Sequence, residues 1–214
     1  MTHHLLLAGY GVRLEPLTAA HAPALAAMVD DPMWAGMTSP RPQGVAAWEE
    51  WVGAQLADRA RRAFAVVTDA ASAGPEGATD RAGIASPDGE VRGSTSFYDL
   101  SHPQRRVEIG TTFYARRWWG TANNPACKLL LLTHAFEDWG LQRVALRADA
   151  RNTRSCAAIQ RLGATPEGVL RKHRVAADGS TGDTAYFSIT DDEWAAVRSG
   201  LETRLPAGAA ATAG

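Results

Sequence analysis

Between Ala126 and Trp139 the apolar residues Leu129, Leu132, Ala135 and Phe136 recur at helical spacing, which predicts a helix there with Gly140 as its stop. Asn124 and Pro125 read as the cap and first turn of that helix. Just upstream, Val107, Ile109, Thr111, Thr112, Phe113 and Tyr114 make a run of β-branched and aromatic residues, the composition of a strand. The same pattern predicts further strands over 12–17, 64–68, 90–98, 143–148, 169–175 and 184–189. Helices are predicted over 18–29, 43–60, 155–162 and 191–198. Asp31 and Pro32 are expected to break the first of these helices, leaving 34–42 irregular.

The turns SHPQRR and ADGSTGD each join neighbouring strands as antiparallel hairpins. Strands that come before, between and after helices predict an α/β domain with a mostly antiparallel sheet rather than a bundle. One domain over 1–205 is the economical reading of 214 residues. Residues 69–89 are Ala, Gly, Pro, Ser, Thr and Asp with no periodic apolar face, so they predict a mobile insertion, and 206–214 a flexible tail.

Composition narrows the function classes. Hydrophobic residues at 45% and charged residues at 21% describe an ordinary globular chain. With 22 basic against 23 acidic residues there is no general polyanion signal, and nucleic acid is not expected. Cys127 and Cys156 have neither metal-ligand nor disulfide spacing, so a reducing cytoplasm and no metal are expected. The opening run LLLAGYGV is too short for a membrane span, and no membrane partner is expected.

The loop ARRWWGTA, between a strand and a helix start without acidic residues, is the candidate for chemistry. Backbone N–H groups at a helix start face an anion well, and Arg116 and Arg117 beside them suit a phosphate-bearing ligand. Gly120, Thr121, Ala122 and Asn123 form an ordinary turn on the plainer reading. Their small side chains equally let phosphates approach the amides. Trp118 and Trp119 read as packing, with ligand stacking the sharper option. Trp34, Met37, Trp48 and Trp51 read as core, the first two also placed to border an acceptor pocket. His134 and Cys127 have no complementary partners for catalysis and read as packed helix residues.

This order of elements, with ARRWWGTA entering a helix and ADARNTRSCAAIQRLGA downstream, resembles the GNAT acyltransferase superfamily, most of all its ribosomal-protein N-terminal acetyltransferase-like branch. Arg117, Gly120 and Ala122 match that superfamily's Arg/Gln-x-x-Gly-x-Gly/Ala pyrophosphate loop. The resemblance runs from RLEPL through TPEGVLRKHR. It implies a GNAT-like splayed sheet that parts between VEIGTTFY and VALRADA to admit the pantetheine arm of acetyl-CoA, the expected cosubstrate. Phe113 and Tyr114 would border that arm. Asn152 would contact it, although capping the next helix is the plainer role. Ser155 would hold or protonate the departing thiolate, or else serve as a helix-start hydroxyl.

Glu108 on the central strand is the first choice for the base that takes the amine's proton, if alternation aims it into the cleft rather than to solvent. The family's branch can carry a carboxylate after the small helix, where this chain has His173 and Arg174, so His173 ranks second. The expected reaction is acetyl transfer to a primary amine by direct attack in a ternary complex. The acceptor is a small molecule or a protein N-terminus, and a homodimer stays open. A non-catalytic acyl-CoA-binding module is the alternative. A nucleotide-binding α/β protein is a third reading, but GTANNPACK lacks the Gly-Lys-Ser/Thr ending of a P-loop.

Overall fold

The computed structural model describes residues 3–69, 85–86 and 89–205. Most of the predicted insertion, and the predicted tail, lie outside the described residues. In chain order the elements are β1 (Leu7–Gly9), β2 (Val12–Pro16), α1 (Ala22–Met28), α2 (Asp31–Trp34), α3 (Gly44–Ala57), β3 (Arg62–Thr68), β4 (Ala85–Ser86), β5 (Gly89–Ser101), β6 (Arg106–Tyr114), α4 (Asn123–Thr133), β7 (Arg143–Asp149), α5 (Thr153–Arg161), β8 (Thr165–Val175), β9 (Thr181–Thr190) and α6 (Trp194–Glu202).

The sheet runs β1-β2-β3-β5-β6-β7-β9-β8, with β4 on β5. Every pairing is antiparallel except β6 with β7, which is parallel because α4 carries the chain across between them. Helices cover both faces of the central strands. On β3, Phe64 and Val66 join the core under α4 and α6, while Ala63, Ala65 and Val67 join the core under α1 and α3. Burial on both faces is why β3 reads as a continuous apolar run.

Two local expectations are corrected, at the start and end of the central helix, and two short elements are added. The first helix ends at Met28, ahead of Asp31 and Pro32 as expected, and the Asp30 side chain accepts from Met33 N at 2.9 Å to start a separate short helix, α2. Asn124 is not the cap of α4. Its cap position is Ala122, and Thr121 Oγ1 accepts from Asn123 N at 3.2 Å instead. The predicted helix to Trp139 turns at His134–Asp138 into a π turn, which Gly140 ends at φ 60°. LLLAGYGV contributes β1, a strand with no sequence expectation. Among the described residues no helix is long and apolar enough to cross a membrane.

Candidate functional site

The parallel pairing of β6 with β7 runs from Arg106↔Arg143 to Ile109↔Leu146 and stops. Beyond it β6 bulges: Thr111 takes φ 49°, and two β6 residues lie opposite Thr95 of β5. An added residue reverses alternation. Ile109 therefore faces α4, whereas Phe113 joins the α3 side and Tyr114 the α4 side. At Gly110 a Cβ would lie 2.6 Å from Tyr98 Oη, so any larger residue would have to displace the ring or the strand.

A cleft of about 1080 Å³ opens at this divergence. Gly110 to Tyr114, Trp118 to Thr121, Lys128, Arg147, Asn152, Ser155 and His173 are in its walls. The loop at one end is built by local bonds. Trp119 Nε1 donates to Tyr114 O at 2.8 Å, Thr121 Oγ1 to Trp118 O at 2.9 Å, and Gly120 turns the chain at φ 71°. Among the described residues, no acceptor engages the N–H groups of Gly120, Thr121 or Ala122. These amides precede α4 and suit an anion such as a diphosphate.

Both loop arginines are ion-paired. Arg116 grips Asp30 with Nε at 2.7 Å and a terminal nitrogen at 3.0 Å, and Arg117 pairs with Glu90. Both remain partly exposed. Each tryptophan is covered by a guanidinium: Arg92 lies 4.0 Å over Trp118, and Arg154 3.6 Å over Trp119. Phe113 is packed edge-on against Trp34 and Trp51. The Tyr114 hydroxyl donates to Asn124 Oδ1 at 3.3 Å. Both side chains are thus occupied, which leaves their backbone for any contact with an arm. Trp34, 1% exposed, is core and not acceptor pocket, while Met37 does line the cleft.

Asn152 caps α5 and lies in the cleft wall. Its Oδ1 accepts from Ser155 N at 3.0 Å, capping α5, and its side chain faces the cleft beside Ser155. Gly36 approaches it so closely that a Cβ would fall 2.5 Å from Asn152 Nδ2. Gly36 is held by Arg174, which donates to its carbonyl at 2.7 Å and stands 3.6 Å from Asp149. Arg151 bonds Asp149 at 2.9 Å and, with Arg174, holds its carboxyl below the usual range.

Glu108 points away from α4 and is buried, and it does not itself line the cleft into which a base was expected to aim. Tyr98, its cross-strand partner, donates its hydroxyl to Glu108 Oε1, and Arg147 Nε lies 2.6 Å from the same oxygen. Arg147 also donates to Tyr98 Oη at 3.2 Å and to Tyr186 Oη at 3.1 Å. Burial raises the Glu108 pKa, opposed by the Tyr98 bond and the Arg147 charge. Burial and the Glu108 charge push the Tyr98 hydroxyl well above its usual value. His173 sits in the cleft wall, 3.2 Å from Thr184 Oγ1 and edge-on to Tyr186.

Tyr98, Arg147 and Lys128 are cleft residues with no sequence expectation attached. Register alone brings Tyr98 to Glu108 and Arg147 to Tyr186. Lys128 does leave a signal, being one charge inside the apolar run ACKLLLL.

Residues 12–165 match the family model described as Acetyltransferase (GNAT) domain. The chain is 34% identical over 107 residues to the "Putative ribosomal N-acetyltransferase YdaF" of Bacillus subtilis, a match over 50% of this chain and 57% of that protein. The chain therefore spans little more than half the length of that curated relative. A solved structure of an acetyltransferase from T. thermophilus is 31% identical, with TM-score 0.81 over 96% of this chain and 100% of that one. A GCN5-related N-acetyltransferase from Brucella melitensis is 25% identical, with TM-score 0.82 over 96% and 87%. The open sheet, the amide-rich turn before α4 and these matches agree: the chain belongs to the GNAT acetyltransferase family.

Proposed function

We propose that this chain moves the acetyl group of acetyl-CoA to a primary amine, by direct attack of the neutral amine in a ternary complex. The observation that carries the reading is the end of β6–β7 pairing at Ile109 and Leu146, in a cleft whose wall includes Gly120 and Thr121 of the turn with free amides. Unpaired strand edges bond an amide-bearing arm as an added strand would. The amides of Gly120, Thr121 and Ala122 hold the diphosphate, with Asn123 N held by Thr121 Oγ1 at the start of α4. Arg116 and Arg117 add their charge by exchanging Asp30 and Glu90 for phosphate oxygens. Asn152 bonds the arm, with the backbone of Phe113 and Tyr114 alongside it.

Proton transfer follows the bond already present. The amine gives its proton to Tyr98 Oη as Tyr98 passes its own to Glu108, whose raised pKa makes it a competent acceptor. Ser155, in the cleft wall, donates to the departing thiolate. The acceptor class follows the name of the Bacillus relative: a polypeptide N-terminus, with ribosomal proteins the first to try. The test is initial-rate CoA release from purified protein with peptides and small amines, alongside calorimetry with CoA. Turnover on peptides with loss in Glu108→Gln supports the reading. Inactivity across the panel together with no CoA binding overturns it. The engagement of Glu108 by Arg147 favours one rival, a non-catalytic acyl-CoA-binding module, which tight CoA binding without turnover would establish.

A further inference from the structure

Lys128 lies on the first turns of α4 among Ala126, Cys127 and Leu129, and it is 4% exposed. Its Nζ donates to Thr112 Oγ1 at 3.2 Å, and Thr112 Oγ1 in turn bonds Thr95 Oγ1 at 2.8 Å. Thr112 belongs to the bulged part of β6 that has left β7, so this amine is fixed to the wall of the cleft at the divergence itself. Among the described residues no carboxylate stands within ion-pair distance of Lys128. A buried ammonium without a counter-charge is held more weakly than a neutral amine, and burial lowers its pKa to about 8. A solvent lysine near pKa 10.4 is almost wholly protonated at neutral pH and does not attack thioesters readily.

We propose that Lys128 is a self-acetylation site, its Nζ attacking the thioester carbonyl of acetyl-CoA held in the cleft. The inference rests on the acetyl-CoA site of the proposed function. A C–N bond forms and the C–S bond breaks, and the proton lost from nitrogen goes to the departing sulfur, leaving acetyl-lysine and free CoA. The product exchanges a small amine for an amide and a methyl group in the wall at the divergence. Modified protein therefore takes up acetyl-CoA less well, and the reaction acts as a brake when amine acceptors are scarce.

The experiment incubates the full chain with acetyl-CoA and no acceptor, and locates acetyl groups by peptide mass spectrometry, with CoA binding followed by calorimetry in parallel. Acetylation of Lys128 is expected, suppressed by excess CoA and absent from urea-unfolded protein. Its initial rate should rise about 50-fold between about pH 6 and about pH 8, then only about twofold over the next unit, as a group of pKa about 8 requires. CoA binding with Lys128 unmodified overturns the inference and leaves the proposed function standing. Failure of CoA to bind overturns both. Modification that persists in urea, or still rises about tenfold above about pH 8, is solvent lysine chemistry and also overturns the inference.

Discussion

The Tyr98 hydroxyl donates to Glu108, and Tyr98 lines the cleft while Glu108 does not. A carboxyl behind a phenol reaches a substrate only through that phenol. Tyr98→Phe and Glu108→Gln should therefore lower kcat by similar factors, each about 100-fold, the range of one general base. Their combination should cost little more than either alone. Independent, multiplying losses in steady-state kinetics would refute a shared path.

The pH profile carries the same relationship. Burial raises the Glu108 pKa, and the acceptor form is the ionised one, so kcat/KM should fall on acidification with a midpoint above the ordinary glutamate value of about 4.3. Glu108→Gln should flatten that limb. The effect on folding has the opposite sign: with a folded pKa above the unfolded one, the stabilising share of this group is complete at low pH and is lost as pH rises through the folded value. A wild-type acid limb that survives in Glu108→Gln would assign it to another group.

Asp149 is 3% exposed and gathers Arg151 and Arg174, the latter holding Gly36 against Asn152. Asp149→Asn leaves Arg174 short of its counter-charge and should destabilise the fold by about 3 kcal/mol in denaturant titration. The folded pKa of Asp149 is lowered, so its contribution is present above about pH 4 and fades as pH falls through the folded value. An unchanged midpoint would show that Arg151 and Arg174 are indifferent to the charge.

Gly110→Ala sets a methyl 2.6 Å from Tyr98 Oη. The ring has to swing from Glu108 or the strand has to shift. Activity should fall at least as far as in Tyr98→Phe, while the melting temperature drops by only a few degrees, since the bulge already loosens β6 locally. Full activity in Gly110→Ala would mean that Tyr98 tolerates displacement.

Asn152→Ala removes the cap of α5 and should cost about 1 kcal/mol. A rise in the acetyl-CoA KM in Asn152→Ser, which keeps a capping oxygen but loses the amide group, would separate contact with the arm from helix capping alone. A wild-type KM in Asn152→Ser with a raised one in Asn152→Ala would leave Asn152 a cap only.

The strand over 107–114, the helix after it and the hairpins at SHPQRR and ADGSTGD were legible because each is written in short-range periodicity and turn chemistry. The amide-rich turn was legible for the same reason: helix starts and small residues are local features. Glu108 was legible as a carboxylate on β6, but not as one shielded by Tyr98, because nothing near residue 108 in sequence encodes residue 98 of the neighbouring strand.

The order of residues by itself determined the elements, the α/β class and the phosphate-suited turn, because these depend on side chains a few positions apart. Tertiary structure alone decided which faces meet. One inserted residue at Thr111 reverses the alternation of β6, sends Phe113 and Tyr114 to opposite cores, and brings Thr112 to Lys128. A bulge is fixed by pairing with a distant strand, so its consequences appear only when the sheet has formed.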